Sequence, residues 1–220
     1  MSQNNSYAEK NSSYYQQVRP EMFDFIPGTA KKVLDVGCSS GNFAMEVKRR
    51  NGAEVWGVEP FESAAAEARE KLDKVYASTF SEQLHLPEQY FDCIIFNDVL
   101  EHMPYPQEAL AYAKRLLQTN GVIVASIPNI RYYKALKTIV NKADFPWEES
   151  FIFDKTHLRF FTKKSIERMF IQAGFTIQKL EGINKQVSTA SGFWISLLNV
   201  LSGNKFADIR YLQFAVVASV

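Results

Sequence analysis

The chain has 220 residues, of which 46% are hydrophobic and 22% are charged, values that are ordinary for a soluble globular protein with a large core. Its 25 Lys and Arg residues nearly balance its 24 Asp and Glu residues, so the net charge is +1. This balance argues against nucleic-acid binding and against attraction to an anionic membrane, because both need a basic surface.

The sequence also predicts where the protein resides. Residues 1–5 are polar and lack the apolar core of a signal peptide. The best candidate for a membrane span, residues 192–201, has roughly half of the ~20 residues that cross a bilayer. Two cysteines, Cys38 and Cys93, are too few for a disulfide framework and fit a reducing compartment. We therefore expect a cytoplasmic protein without a membrane span.

The first predicted element is a helix over residues 11–25, in which apolar and aromatic side chains recur at near-helical spacing and Pro20 either breaks the helix or starts a second one. Its pair Tyr14 and Tyr15 has two interpretations: the rings form one wall of a substrate pocket, or they only pack against the core. We assign residues 1–27 to an N-terminal helical cap.

A strand, a glycine turn and a helix follow. The apolar run over residues 32–36 is typical of a buried parallel strand. Gly37 and Gly41 bracket the turn and permit close approach of a ligand to the backbone, and the helix that starts near Phe43 would direct its first amides at that ligand. The second strand, residues 53–58, ends at Glu59. A glycine turn after strand one and a carboxylate after strand two is how a Rossmann-like sheet holds an adenosine ribose.

The rest of the chain continues this alternation and then departs from it. Its predicted core elements are a helix over 61–70, strands over 74–77 and 90–96, a helix over 106–118 and a strand over 122–127. Five strand–helix repeats imply a parallel sheet with helices on both faces. Later segments are a helix over 130–141, an aromatic irregular stretch over 143–158, a helix over 162–173, a strand over 175–180, a loop and short apolar helix within 185–204, and a strand over 211–220. We expect one domain, with a cofactor-binding core at 28–129, a substrate lid at 130–161 and the C-terminal part of the sheet at 162–220.

The turn itself discriminates between cofactors. A dinucleotide fingerprint beginning at Gly37 needs glycine at positions 39 and 42, where the chain has Ser39 and Asn42. Asp35 precedes the turn, and its carboxylate would repel a pyrophosphate but attract an ammonium group. S-adenosylmethionine carries an ammonium and a sulfonium and no phosphate, so the charges favour it over NAD. A dinucleotide enzyme and a strand–turn–helix without a ligand remain alternatives.

These blocks together resemble the class I S-adenosylmethionine-dependent methyltransferases, especially a branch associated with surface-polysaccharide and glycan biosynthesis. The resemblance covers nearly the whole chain and rests on residues 14–15 with 19–21, 33–38, 98–102, 126–129 and 154–162. It implies an α/β, Rossmann-like, mostly parallel seven-stranded sheet with helices on both faces, strand order 3-2-1-4-5-7-6 and strand seven antiparallel.

The resemblance also implies the residues that bind the cofactor and its product, S-adenosylhomocysteine. The turn would hold the methionine moiety, Glu59 would accept both ribose hydroxyls, and Phe61 would flank the adenine. Thr79 stands where the family often has an acid, so the contact to the adenine amino group is expected from backbone or water. The full expected set is Asp35, Gly37, Cys38, Ser39, Gly41, Phe43, Glu59, Pro60, Phe61, Thr79, Phe80, Asn97, Asp98 and Val99.

A hydroxyl acceptor must lose a proton, which suits a histidine. His102 follows strand four at the ligand-binding edge of the sheet and is either a catalytic base or a packed residue beside the cofactor. His157 is either a base or an anchor for the covering segment. Asp98 either faces the reacting methyl or caps a helix. Candidate substrate-binding residues are Tyr14, Tyr15, Arg19, Asn129, Arg131, Tyr132, Arg159 and Phe160.

The sequence thus predicts an enzyme, an S-adenosylmethionine-dependent methyltransferase, that methylates oxygen on a small molecule or glycan precursor. We expect no metal site and leave the oligomeric state open. The alternatives are an S-adenosylmethionine-binding partner protein that has lost transfer activity and, further off, an NAD(P)-dependent oxidoreductase.

Overall fold

Seven strands hydrogen-bond into a single sheet in the computed structural model, which describes residues 19–149 and 151–220. The strands are β1 (Lys32–Val36), β2 (Glu54–Val58), β3 (Lys74–Tyr76), β4 (Phe91–Asn97), β5 (Leu117–Pro128), β6 (Thr176–Lys185) and β7 (Tyr211–Ser219). The helices are α1 (Asn42–Asn51), α2 (Glu62–Arg69), α3 (Pro106–Leu116), α4 (Tyr133–Asn141), α5 (Lys163–Gln172) and α6 (Thr189–Ser202).

The sheet order is β3-β2-β1-β4-β5-β7-β6. Neighbours from β3 to β5 pair in parallel, whereas β7 runs antiparallel to both β5 and β6. The predicted fold class, strand order and antiparallel strand seven are therefore confirmed. Parallel pairing puts the carboxyl ends of β1, β2, β4 and β5 at one edge of the sheet, which is where open α/β sheets bind ligands.

Alternating side chains of the central strands feed two apolar layers, because successive residues of a strand point to opposite faces. Leu34 of β1 and Ile94 and Phe96 of β4 lie in one layer. Val33 of β1 and Ile95 of β4 lie in the other. All five are fully buried, as the continuous apolar runs of a sheet covered on both faces predict.

Several predicted boundaries differ from the structure. The helix expected over 106–118 ends at Leu116, because Leu117 already pairs with Phe91 and begins a longer β5. Asn120 takes a left-handed backbone (φ +66°) within this strand. Strand β6 ends at Lys185, five residues beyond the predicted end, because Ile183 and Lys185 still pair with β7.

The structure also departs once from the predicted alternation of strands and helices. Between β3 and β4 the chain forms only a 3-10 turn, Glu82–Leu84, and no α-helix. In the predicted N-terminal helix, Pro20–Phe25 likewise forms a 3-10 helix and not an α-helix. Residues 1–18 of the expected cap, including Tyr14 and Tyr15, lie outside the described residues. Within 19–149 and 151–220, no helix has the length and apolar character needed to cross a membrane.

Candidate active site

The turn after β1 is shaped by left-handed backbone at three residues. Gly37 and Gly41 have φ of +73° and +78°, and Ser39 has φ of +52°. The turn is tied to β2, because the amide of Gly37 donates to Val58 O at 2.7 Å, and it closes on itself where the amide of Gly41 donates to Cys38 O at 2.9 Å. A Cβ on Gly37 would lie 2.6 Å from Val99 Cγ2, so this position requires glycine.

Two buried carboxylates flank the turn. Asp35, at the end of β1, is 3% exposed, and Glu59, after β2, is 4% exposed. Burial, reinforced by the negative charge of Glu59, raises the pKa of Asp35 to about 8. Burial also raises the pKa of Glu59, although its oxygens accept hydrogen bonds from the amides of Ser39 (2.9 Å) and Phe61 (3.1 Å). The site is therefore built to receive positive charge.

Asn97 ends β4 beside the same turn. Both amide atoms of its side chain are buried, and neither has a hydrogen-bond partner among the described residues. Such orphaned polar atoms are rare in folded proteins, because leaving them unpaired costs about 1–3 kcal/mol. A ligand with polar groups is the natural partner for this amide.

The predicted cofactor residues divide into two groups by placement. Pro60 and Thr79 are exposed and Phe61 is half-buried, while Phe80 packs edge-on against Phe96 with ring centroids 5.6 Å apart. The side chains of Cys38 and Phe43 instead belong to the core: the Cys38 thiol packs against Gly57 and the Phe43 ring stacks on Phe23 at 4.7 Å. Those two residues can meet a ligand only through their backbone.

Asp98, which directly follows β4, lies in a polar network with residues of β5, β6, β7 and the N-terminal segment. Its backbone is left-handed (φ +53°), and its carboxylate pairs with the Arg19 guanidinium and accepts hydrogen bonds from Ser126 Oγ (3.1 Å) and Gln213 Nε2 (2.6 Å). Gln213 Oε1 in turn accepts from Arg19 Nη2 at 3.0 Å and from Asn184 Nδ2 at 2.7 Å. Asp98 is thus held by the network and caps no helix.

The two histidines that were predicted as alternative bases come together. The rings of His102 and His157 are 4.7 Å apart at an interplanar angle of 64°, and His157 Nε2 lies 3.9 Å from Glu101 Oε1. His157 is 6% exposed and Glu101 is 1% exposed, whereas His102 is half-buried. The chain from 154 to 159 covers this cluster, because the amides of Leu158 and Arg159 donate to Glu101 O.

Four predicted substrate residues have their side chains committed to holding loops. Asn129 is fully buried and donates to the carbonyls of Asp208 and Tyr211, both at 3.0 Å. Arg131 pairs with Asp208 (2.8 Å) and donates to Lys205 O (2.7 Å). Tyr132 donates to Gln186 O (2.8 Å), and Arg159 donates to Pro104 O (2.7 Å).

Phe160 has a different environment. It is 36% exposed and belongs to an aromatic cluster with Phe145, Trp147 and His157, whose ring centroids lie 5.1–6.4 Å from its own. Trp147 is 63% exposed. The cluster presents aromatic surface directly beside the histidines.

Sequence reasoning missed Glu101 and Gln213 as site residues. Glu101 stood within the quoted run from Asp98 to His102, and its acidic side chain between a strand end and a histidine was the available signal. Gln213 is a single polar residue in the apolar run of β7, which marks a buried polar contact. Ser126 carries a weaker form of the same signal on β5.

The residues at this edge fit S-adenosylmethionine. Buried carboxylates suit its cationic methionine end and its ribose hydroxyls. The glycine turn would let a ligand approach the backbone, and the side-chain amide of Asn97 has no partner among the described residues. No seat for a pyrophosphate is present among the described residues of the turn, because Asp35 lies at its base. The fold and the site thus define an S-adenosylmethionine-dependent methyltransferase.

Comparison with known proteins identifies the family. A family model described as a methyltransferase domain matches residues 7–180, so the chain belongs to that family. Among curated relatives, it is similar to a ubiquinone biosynthesis O-methyltransferase of Aeromonas salmonicida, with 26% identity over 89% of this chain and 82% of the relative. A protein of the same description from Histophilus somni is 34% identical over 53% of this chain, a match that spans only 52% of the relative.

Solved structures share the fold. An S-adenosylmethionine-dependent methyltransferase from Archaeoglobus fulgidus superposes with a TM-score of 0.67 at 23% identity, covering 91% of this chain and 92% of that one. A Thermotoga maritima protein described as a possible histamine N-methyltransferase superposes with a TM-score of 0.65 at 19% identity, covering 90% and 86%. At these identities the likeness concerns architecture alone.

Proposed function

We propose that the chain transfers a methyl group to a hydroxyl oxygen of a small molecule or glycan precursor. The observation that carries the proposal is the position of the Glu101–His102–His157 cluster. Gly37 of the turn abuts Val99, and the cluster begins two residues further along the chain. The proposed methyl-donor site and this cluster would therefore be neighbours on one edge of the sheet, and relatives named as O-methyltransferases support the choice of oxygen.

Residues of the turn would hold the donor. The Asp35 carboxylate would bind the ammonium group, and Glu59 would accept the two ribose hydroxyls with the lone pairs that Ser39 and Phe61 leave open. Asn97 would bind a polar group of the methionine end. When bound, S-adenosylmethionine supplies an electrophilic methyl on its sulfonium, so the protein's task is alignment, which contributes on the order of 7–11 kcal/mol at best.

The acceptor would lie on the side of the histidines. Phe145, Trp147 and Phe160 offer exposed aromatic surface that suits a phenol ring or the apolar face of a sugar. The cluster of His102 and His157 would promote loss of the hydroxyl proton. The segment 130–161 would act as the covering lid, since its backbone is tied to Glu101 O through Leu158 and Arg159.

A ligand panel followed by an acceptor panel tests the proposal. We expect S-adenosylmethionine and S-adenosylhomocysteine to raise the thermal midpoint and NAD and NADP to leave it unchanged, because a ligand at about 100 times its Kd adds roughly 2.7 kcal/mol to the free energy of unfolding. Phenolic and sugar-nucleotide acceptors should then be methylated. Methylation confined to amine acceptors, or stabilisation by NAD alone, would contradict the proposal.

A further inference from the structure

We propose that Glu101, His102 and His157 bind one divalent transition-metal ion, with Zn²⁺ as the best match. No metal site was expected from the sequence, because His157 is 55 positions away from His102 and only the fold brings it to the other two residues. Two imidazoles and one carboxylate are a ligand set that zinc enzymes use, with an open position left for water or substrate. Imidazole ligands favour zinc and its neighbours over Mg²⁺, which prefers oxygen.

The distances among the candidate ligand atoms are close to those found around a bound zinc ion. Each of the three residues offers one ligand atom, and these atoms all lie within 4.8 Å of one another. Ligands on opposite sides of a zinc ion, at about 2.0–2.2 Å each, can be at most about 4.4 Å apart. The pair His157 Nε2 and Glu101 Oε1, at 3.9 Å, already satisfies that limit, and small side-chain rotations close the rest.

The environment of Glu101 is a second, independent observation that points to a cation. It is 1% exposed, and neither of its carboxylate oxygens has a hydrogen-bond partner among the described residues. Burial, with the nearby negative charges of Asp98 and Asp154, raises the pKa of Glu101 well above its ordinary value. A buried carboxyl without donors is costly, and a cation between it and the two histidines would remove that cost.

Both histidines are oriented as metal ligands are. His157 Nδ1 lies 3.1 Å from Ile152 O, and His102 Nδ1 lies 3.1 Å from Thr156 O. Because a carbonyl only accepts, these contacts place the proton on Nδ1 and make Nε2 the ligand atom. Asp154 Oδ1 accepts hydrogen bonds from the Thr156 amide at 2.8 Å and the Thr156 hydroxyl at 2.6 Å. Asp154 therefore positions the carbonyl that orients His102.

A bound ion would give Glu101, His102 and His157 a specific role in the reaction. At its open position it would bind the acceptor hydroxyl and lower the pKa of that hydroxyl, so that the proton is released to water and the oxygen becomes nucleophilic. The two imidazoles would then act as ligands and the ion would promote loss of the proton. This role rests on the proposed function, whereas metal binding itself does not.

Titration of the chelator-treated full chain with ZnCl₂ by calorimetry tests the site. We expect one Zn²⁺ per chain, and at least tenfold weaker binding by Glu101→Gln and by His102→Ala. His85→Asn is the matched control: His85 lies in a loop with a left-handed backbone, which asparagine tolerates, and it should bind as the parent does. MgCl₂ should bind at least tenfold more weakly than ZnCl₂.

Several outcomes would overturn the proposal. They are no binding by the parent chain, equal binding by Glu101→Gln and His85→Asn, or tighter binding of Mg²⁺ than of Zn²⁺. Circular dichroism of each variant shows whether it is folded, and the half-buried position of His102 makes His102→Ala the safer variant. Metal-free enzyme that still methylates hydroxyls at the full rate would refute the metal's role and leave the proposed function standing.

Discussion

Gly37 and Val99 are in such close contact that a single methyl group on Gly37 would lie 2.6 Å from Val99 Cγ2. The contact joins the turn after β1 to the segment after β4, the two parts of the chain that would flank the proposed donor site. A side chain at position 37 should therefore disturb both the turn after β1 and the segment after β4.

Gly37→Ala should weaken binding of S-adenosylhomocysteine at least tenfold and destabilise the fold by about 1–3 kcal/mol, because alanine combines a clash with an unfavourable positive φ. Calorimetric titration and chemical denaturation measure the two effects. Gly28→Ala is the control, since a Cβ there meets nothing within 4 Å. Equal behaviour of the two variants would refute the role given to the turn.

Asp35 should make the stability of the ligand-free protein depend on pH. Its pKa is raised from 3.8 to about 8, so between these values the folded chain keeps a proton that the unfolded chain has released. The free energy of unfolding should therefore fall as the pH rises across this window and level off above it. Denaturation of the parent and Asp35→Asn at pH 5 to 9 measures the slope, which the variant should reduce.

Glu59 should account for recognition of the ribose. Glu59→Gln places an NH₂ group against one of the backbone donors, Ser39 N or Phe61 N, and removes the charged acceptor, a loss of about 1.5–3 kcal/mol. We expect at least tenfold weaker binding of S-adenosylhomocysteine and little remaining preference over its 2′-deoxy analogue. Glu62→Gln, at an exposed ion pair with Arg69, should bind both ligands as the parent does.

Gln213 should stabilise the network around Asp98. Gln213→Leu would leave Asp98, Arg19 and Asn184 short of partners, and we expect a loss of about 1–3 kcal/mol in the free energy of unfolding. Gln178→Leu, an exposed position on the neighbouring β6, provides the control. A loss no larger than that of the control would mean that the network contributes nothing to stability.

The parts of the site that could be predicted are those that a short stretch of sequence defines. The glycine turn and Glu59 follow adjacent strands, so strand prediction alone brought them to one edge. Gln213 and Asp98 are 115 residues apart in the chain, and no local pattern pairs them. The helix predicted up to residue 118 failed for a related reason, because the pairing of Leu117 with Phe91 is a tertiary contact that outweighs local helix preference.

The substrate residues show the same limit. Asn129 and Arg131 have the side chains that bind polar ligands, but the structure commits both to Asp208, which the sequence places nearly 80 residues away. Conversely, Glu101 is a single acidic residue that was not predicted as a site residue. Its importance depends on burial and on His157, and both are consequences of how residues 154–159 fold over it.

The most direct test of the account is transfer from S-adenosylmethionine labelled with carbon-13 in its methyl group, followed by NMR of the product. The account predicts an O-methyl resonance that depends on an acceptor hydroxyl and that decreases strongly in both Gly37→Ala and His102→Ala. Label found only on nitrogen or carbon would contradict it, and so would full O-methylation by His102→Ala.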